Sequence, residues 1–160
     1  MFVDFTSLSG AAKVWIYPSS RRFYPNEVDE IEEKIKNFIS TWKREDEKLK
    51  CSYQFLHKRF IIIAADDEKY SITNQDLSRQ VAFILALQST YKIELLDRMN
   101  VCFKQGNYVQ YKALTEFKKL LKNRAVSPKT IVFDNIISRK YDFENCWERT
   151  VEESWYSRFL

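Results

Sequence analysis

The spacing of apolar residues changes along the chain, and each spacing predicts an element. Lys13–Tyr17 (KVWIY) is β-branched and aromatic and stops at Pro18, so it reads as a strand. From Val28 the apolar residues fall at Ile31, Ile35, Phe38, Ile39 and Trp42, one face of a helix. Acids crowd its start and Lys43 and Arg44 its end, as a helix dipole favours. Asn26 is the expected N-cap. The charged run Lys43–Lys50 reads as a solvated connection. Cys51–Leu56 alternates and predicts a strand. Phe60–Ala65 (FIIIAA) is apolar throughout, which predicts a strand buried on both faces, with a hairpin turn around His57–Arg59.

Thr73 and Asp76 have the spacing of a capping box and open a second helix running to about Thr90. Its middle, Val81–Leu87, is apolar on every side and is expected to be wholly buried. Val101–Lys104 and Tyr108–Tyr111 flank Gln105-Gly106-Asn107, a hairpin signal. A short helix follows with Thr115 as its cap, Phe117, Leu120 and Leu121 inward, and Asn123 at its end. Thr130–Phe133 reads as a further strand. The sum is an α+β fold in a single domain: a mostly antiparallel sheet with about three helices, and possible lobes at 1–97 and 98–160.

Composition removes several function classes. Only Gly10 and Gly106 occur in 160 residues, against a usual share of roughly 7%. Phosphate-cradling loops need closely spaced glycines, so neither a G-x-G-x-x-G nor a G-x-x-x-x-G-K-[ST] loop is present. Cys51, Cys102 and Cys146 are far apart and odd in number, and His57 is the one histidine. That pattern reads as free thiols in a reducing compartment, with no metal site and no cofactor expected. No apolar run approaches the roughly 18 residues of a membrane span, so the expected setting is cytoplasmic.

The net charge of +4 is unevenly placed. Residues 98–140 carry ten basic side chains against Glu116 and Asp134, a local charge of +8. Residues 141–160 carry −3. The basic stretch, with Lys112, Lys118, Lys119, Lys122 and Arg124 as its patch, is either a nucleic-acid footprint or a partner for the acidic tail.

Several stretches are familiar as a group: Val14-Trp15-Ile16-Tyr17 with Arg22-Phe23, Arg59-Phe60-Ile61-Ile62, Leu96-Asp97-Arg98-Met99, Thr130 to Asn135, and Ser154 to Phe159. Together they resemble a family of small uncharacterised bacterial proteins often labelled "ABC transporter ATPase". The resemblance covers most of the chain. Its label implies ATP hydrolysis, which needs backbone N–H groups and a lysine around the phosphates, and this sequence lacks that loop. Family members often have Ser-Gly-Cys-Ser-Ile-Asp before the second helix, where this chain has Lys69 to Asn74 and no cysteine. Tyr108 to Asn135 is also similar in outline to GYF-like peptide-binding modules, without their Gly-Pro.

The leading expectation is a non-catalytic protein-interaction module. Its candidate binding residues are Arg21, Arg22, Trp155, Arg158 and Phe159, because Arg and Trp are favoured interface anchors and Arg clamps carboxylate or phosphate. Nucleic-acid binding through residues 98–140 is the alternative. A third reading is a hydrolase or transferase assembled from scattered residues such as His57, Asp66 and Arg22, which requires those residues to meet in one cleft.

Overall fold

The computed structural model describes residues 1–42, 49–97 and 99–160. Most of the expected charged connection, 43–48, and Arg98 of the basic stretch lie outside the described residues.

Strand β1 (Lys13–Pro18), β2 (Lys50–Leu56) and β3 (Phe60–Asp66) form an antiparallel sheet in the order β1-β3-β2. The apolar run is therefore the central strand. Its pleat divides the core: Ile61, Ile63 and Ala65 face one cluster, and Phe60, Ile62 and Ala64 face another. The first cluster lies under α1 (Pro25–Thr41) and α2 (Asn74–Tyr91). The second lies against a four-stranded antiparallel sheet in the order β5-β4-β6-β7, made of β4 (Val101–Gln105), β5 (Tyr108–Lys112), β6 (Ile131–Phe133) and β7 (Glu148–Thr150). Helix α3 (Leu114–Lys122) covers the far side of that sheet through Phe117, and α4 (Lys140–Cys146) packs Phe143 into the second cluster. The fold is α+β, with two antiparallel sheets and four described helices. Residues 140–150 supply the helix and strand that the sequence pattern did not predict.

Local chemistry explains the boundaries. Helix α1 begins at Pro25, so Tyr24 and not Asn26 is its N-cap. Glu27 takes over the capping role: its carboxylate accepts from the Tyr24 N–H at 2.8 Å and from both Arg21 terminal nitrogens at 2.9 and 3.1 Å. The Arg21 guanidinium holds the Glu27 carboxyl below its usual range, against the opposing effect of burial. This stabilisation is complete above the ordinary Glu pKa and disappears as pH falls through the lower folded value. Glu27→Gln is expected to cost about 1–2 kcal/mol at pH 7 and progressively less towards pH 3. Urea melts at the two pH values check this, and a pH-independent loss contradicts it.

Helix α2 opens with the expected box: Thr73 Oγ1 accepts from Asp76 N at 3.1 Å, and Asp76 accepts from Thr73 N at 2.8 Å. The helix is not buried all round. Ile84 and Leu87 enter the core, while Val81 and Leu85 are 40% and 48% exposed. The sheet covers one face of α2, and nothing described packs on the other. In α3 the N-cap is Ala113, which leaves Thr115 inside the first turn, and Asn123 ends the helix.

The β4–β5 hairpin closes on a two-residue turn, Gly106-Asn107, and the β2–β3 hairpin on a three-residue turn, His57-Lys58-Arg59. Gly106 takes the left-handed φ of 59° in the β4–β5 turn. The β2–β3 turn uses His57 (φ 55°) and Lys58 (φ 52°), two non-glycine residues in the same strained region.

Candidate functional site

The five residues singled out as binding candidates do not form one site. Arg21 is held by Glu27 and donates to the Tyr91 carbonyl at 3.0 Å. Phe23, beside it, is core. Arg22 lines a groove near His57. Trp155, Arg158 and Phe159 belong to a 3-10 turn, Trp155–Phe159, near the end of the chain. The Arg158 guanidinium lies 4.1 Å from the centre of the Trp155 ring and donates to the Trp155 carbonyl at 3.1 Å.

Trp155 stands at the rim of an apolar cleft of about 210 Å³. Val132 and Phe133 of β6 contribute to its lining, with Leu114 at the start of α3 and Met99 and Ile136 from loops. Met99, Ile136 and Trp155 are 74%, 71% and 51% exposed. The second half of the lining is fixed. Tyr156 packs edge-on to Phe117, with ring centres 5.4 Å apart, and burial pushes its hydroxyl up to about 12, so it stays a neutral phenol. Asn135 Oδ1 accepts from the Trp147 indole at 2.9 Å. The cleft therefore has rigid walls and a solvent-exposed apolar rim. It offers a hydrophobic contact framed by a few neutral or acidic polar groups.

The basic patch divides as well. The acidic tail takes part of the basic stretch: Lys104 pairs with Glu148, and Lys129 with Glu152 at 2.5 Å. Lys112, Lys118, Lys119, Lys122 and Arg124 form no ion pair among the described residues. Lys118, Lys122 and Arg124 line a shallow groove with Phe159 and Leu160, and the Lys118 ammonium is 4.3 Å from the Phe159 ring centre. Lys112 is on β5, outside that groove.

His57, Asp66 and Arg22 do not meet in one cleft. His57 and Arg22 share a groove, but Asp66 ends β3 at the opposite end from the His57 turn. Asp66 is six residue steps along the strand from Phe60, roughly 20 Å, and proton transfer needs hydrogen-bond reach or one bridging water. Asp66 accepts from the Glu68 N–H, and Asp67 pairs with Lys13 and Arg139. His57 is exposed, and burial of its ring and then Lys104 lower its pKa, so it is neutral at pH 7. The Cys102 thiol is pushed by burial up to about 12, which removes it as a nucleophile at neutral pH. Among the described residues no three His, Cys, Asp or Glu side chains group as metal ligands, and no helix is long and apolar enough to cross a membrane.

Met99, Ile136 and Arg59 were not singled out as site residues from the sequence. The signal for the first two was a large apolar side chain directly after polar residues in a loop, as Ile136 follows Asp134-Asn135 and Met99 follows Asp97-Arg98. Set against family models, curated proteins and solved structures, the chain has no match.

Proposed function

We propose that this chain is a non-catalytic cytoplasmic binding protein that seats an apolar side chain of a protein partner in the Trp155 cleft. The observation that carries this reading is the exposure of Met99, Ile136 and Trp155 around one concavity. Exposed apolar groups gathered at a depression mark interaction sites, whereas scattered ones do not. The cleft volume of about 210 Å³ is below the roughly 300–1,000 Å³ of small-molecule sites. It suits one or two side chains. Trp155 carries a cation on its ring and is half free, the arrangement of an interface anchor.

The test is a tagged capture from nuclease-treated lysate, with the retained protein identified and titrated against purified chain. Trp155→Ala is expected to weaken that complex by at least about 2 kcal/mol, while the unfolding midpoint shifts by less than about 1 kcal/mol, as for an exposed side chain. A complex that survives Trp155→Ala and Ile136→Glu overturns the reading.

The convergence of Lys118, Lys122 and Arg124 around Phe159, with no acidic side chain in the lining, supports a second reading: single-stranded nucleic acid held by phosphate contacts and stacking. That binding would fall steeply with salt. Absent or salt-insensitive binding of an oligonucleotide removes it.

A further inference from the structure

We propose that the groove between the His57–Lys58 turn and the β4–β5 hairpin binds a phosphomonoester carrying a planar ring, with Arg59 as the buried charge that receives the phosphate. This site is separate from the Trp155 cleft and stands independently of the reading given to that cleft.

Arg59 is the exception among the buried cations of the described residues. It is 9% exposed. Its guanidinium makes one hydrogen bond, from Nη1 to the Ser19 carbonyl at 3.2 Å, and it has no acidic partner among the described residues. Where the fold uses a cation structurally, it satisfies it. Lys140, 4% exposed, donates to the Leu8 and Thr6 carbonyls and pairs with Glu144. Arg21 has a bidentate carboxylate and a carbonyl. The guanidinium nitrogens left without a partner are not sealed in the core but reach solvent, so a cation with no acid beside it is open to an anion.

The surroundings add positive charge. The Phe23 N–H donates to the Lys58 carbonyl at 2.8 Å, and the Ser19 N–H to the Arg59 carbonyl at 3.0 Å, so the segment carrying Arg22 is latched to the turn. Arg22, Lys58 and Arg59 thus line one groove, with His57 as a neutral hydrogen-bonding ring. No acidic side chain is in the described lining. Lys104 also faces His57, and Glu148 neutralises it. The charges that face the groove are positive, and burial opposes the charge on Arg59 itself. The His57–Lys58 turn is held at positive φ at both residues without a glycine.

Three cations match a phosphate dianion better than a single carboxylate, and Arg supplies the fork that grips it. The opposite wall holds Tyr108, 64% exposed, with Asn107 and Gln110 as neutral donors and acceptors. Its ring offers a stacking face for a planar group. The groove volume of about 470 Å³ falls within the roughly 300–1,000 Å³ range of small-molecule sites. Side chains, not a glycine loop, would do the binding, which suits a chain with two glycines.

The probes are AMP, inorganic phosphate and adenosine, titrated calorimetrically into the full chain at low and at physiological salt. AMP is expected to bind most tightly, phosphate more weakly and adenosine not at all, with affinity falling as salt rises. Arg59→Met should weaken AMP at least tenfold while leaving the ligand-free melting temperature equal or higher, because it removes an uncompensated charge. Tyr108→Ala should weaken AMP several-fold and leave phosphate unchanged. If Arg59→Met does not fold, Arg22→Gln and Lys58→Gln carry the test, each with a several-fold loss. Failure of the wild-type chain to bind either phosphate probe at millimolar concentration overturns the proposal. So does full binding by Arg22→Gln and Lys58→Gln together.

Discussion

Trp147→Ala is expected to destabilise the protein by about 3–5 kcal/mol, read as a fall in the urea midpoint at constant slope. The ring is 6% exposed and sits where the two sheets meet. Phe60 of the central strand, Phe133 of β6 and Phe143 of α4 all have ring centres within 4.9 Å of it, two of them tilted and Phe60 edge-on. Aromatic pairs in such geometries add to the area they bury. Truncation opens a cavity between layers that rigid sheets cannot close. It also removes the indole donor from Asn135 Oδ1, and Asn135 is 7% exposed. Trp147→Phe separates the two effects. It keeps most of the ring contacts and loses the donor, so its cost is that of an unpaired buried acceptor, about 1–3 kcal/mol. Because Asn135 lines the Trp155 cleft, the phenylalanine variant should also weaken partner capture. A loss below about 1 kcal/mol for Trp147→Ala would show that the sheets do not depend on this ring.

What could be read from the sequence was whatever depends on neighbours along the chain. Phe60–Ala65 has no polar position on either face, and only a strand with cores on both sides satisfies that; β3 is such a strand. The Thr73–Asp76 box and the Gly106 turn are local chemistry and are present as expected. The same reasoning failed where composition and environment diverge. Val81–Leu87 is apolar all round, yet Val81 and Leu85 face outward, because a sequence records a side chain's polarity but not whether anything arrives to cover it. Tyr24 displaced Asn26 as the cap because Pro25 set the helix start and Glu27 reached back to it. The candidate sites were legible only in part for the same reason. Trp155 and Arg22 stand out by residue type. Their neighbours Met99, Ile136 and Tyr108 come from distant segments, and the burial of Arg59 without an acid is a property of three dimensions.

Trp42→Ala should match the Trp147 loss, at about 3–5 kcal/mol, but through the other core. Trp42 is 1% exposed at the end of α1, edge-on to Trp15 and tilted against Phe38. Its indole donates to the Asp76 carbonyl at 2.8 Å, and its own carbonyl accepts from Arg79 at 2.9 Å, which ties the end of α1 to the first turn of α2. Here the phenylalanine variant should be milder than at Trp147, about 1 kcal/mol. Helical geometry gives the Asp76 carbonyl a second donor four residues on, so losing the indole does not orphan it. Trp147→Phe costing more than Trp42→Phe is therefore the expected order, and the reverse would mean that ring packing and not acceptor pairing sets both. The two alanine variants also probe how the chain is divided. Alternate residues of β3 belong to the two clusters that hold Trp42 and Trp147, so each substitution should lower one shared transition seen by every probe. Two separable transitions, one sensitive to Trp42 and one to Trp147, would instead make 1–97 and 98–160 independent folding units.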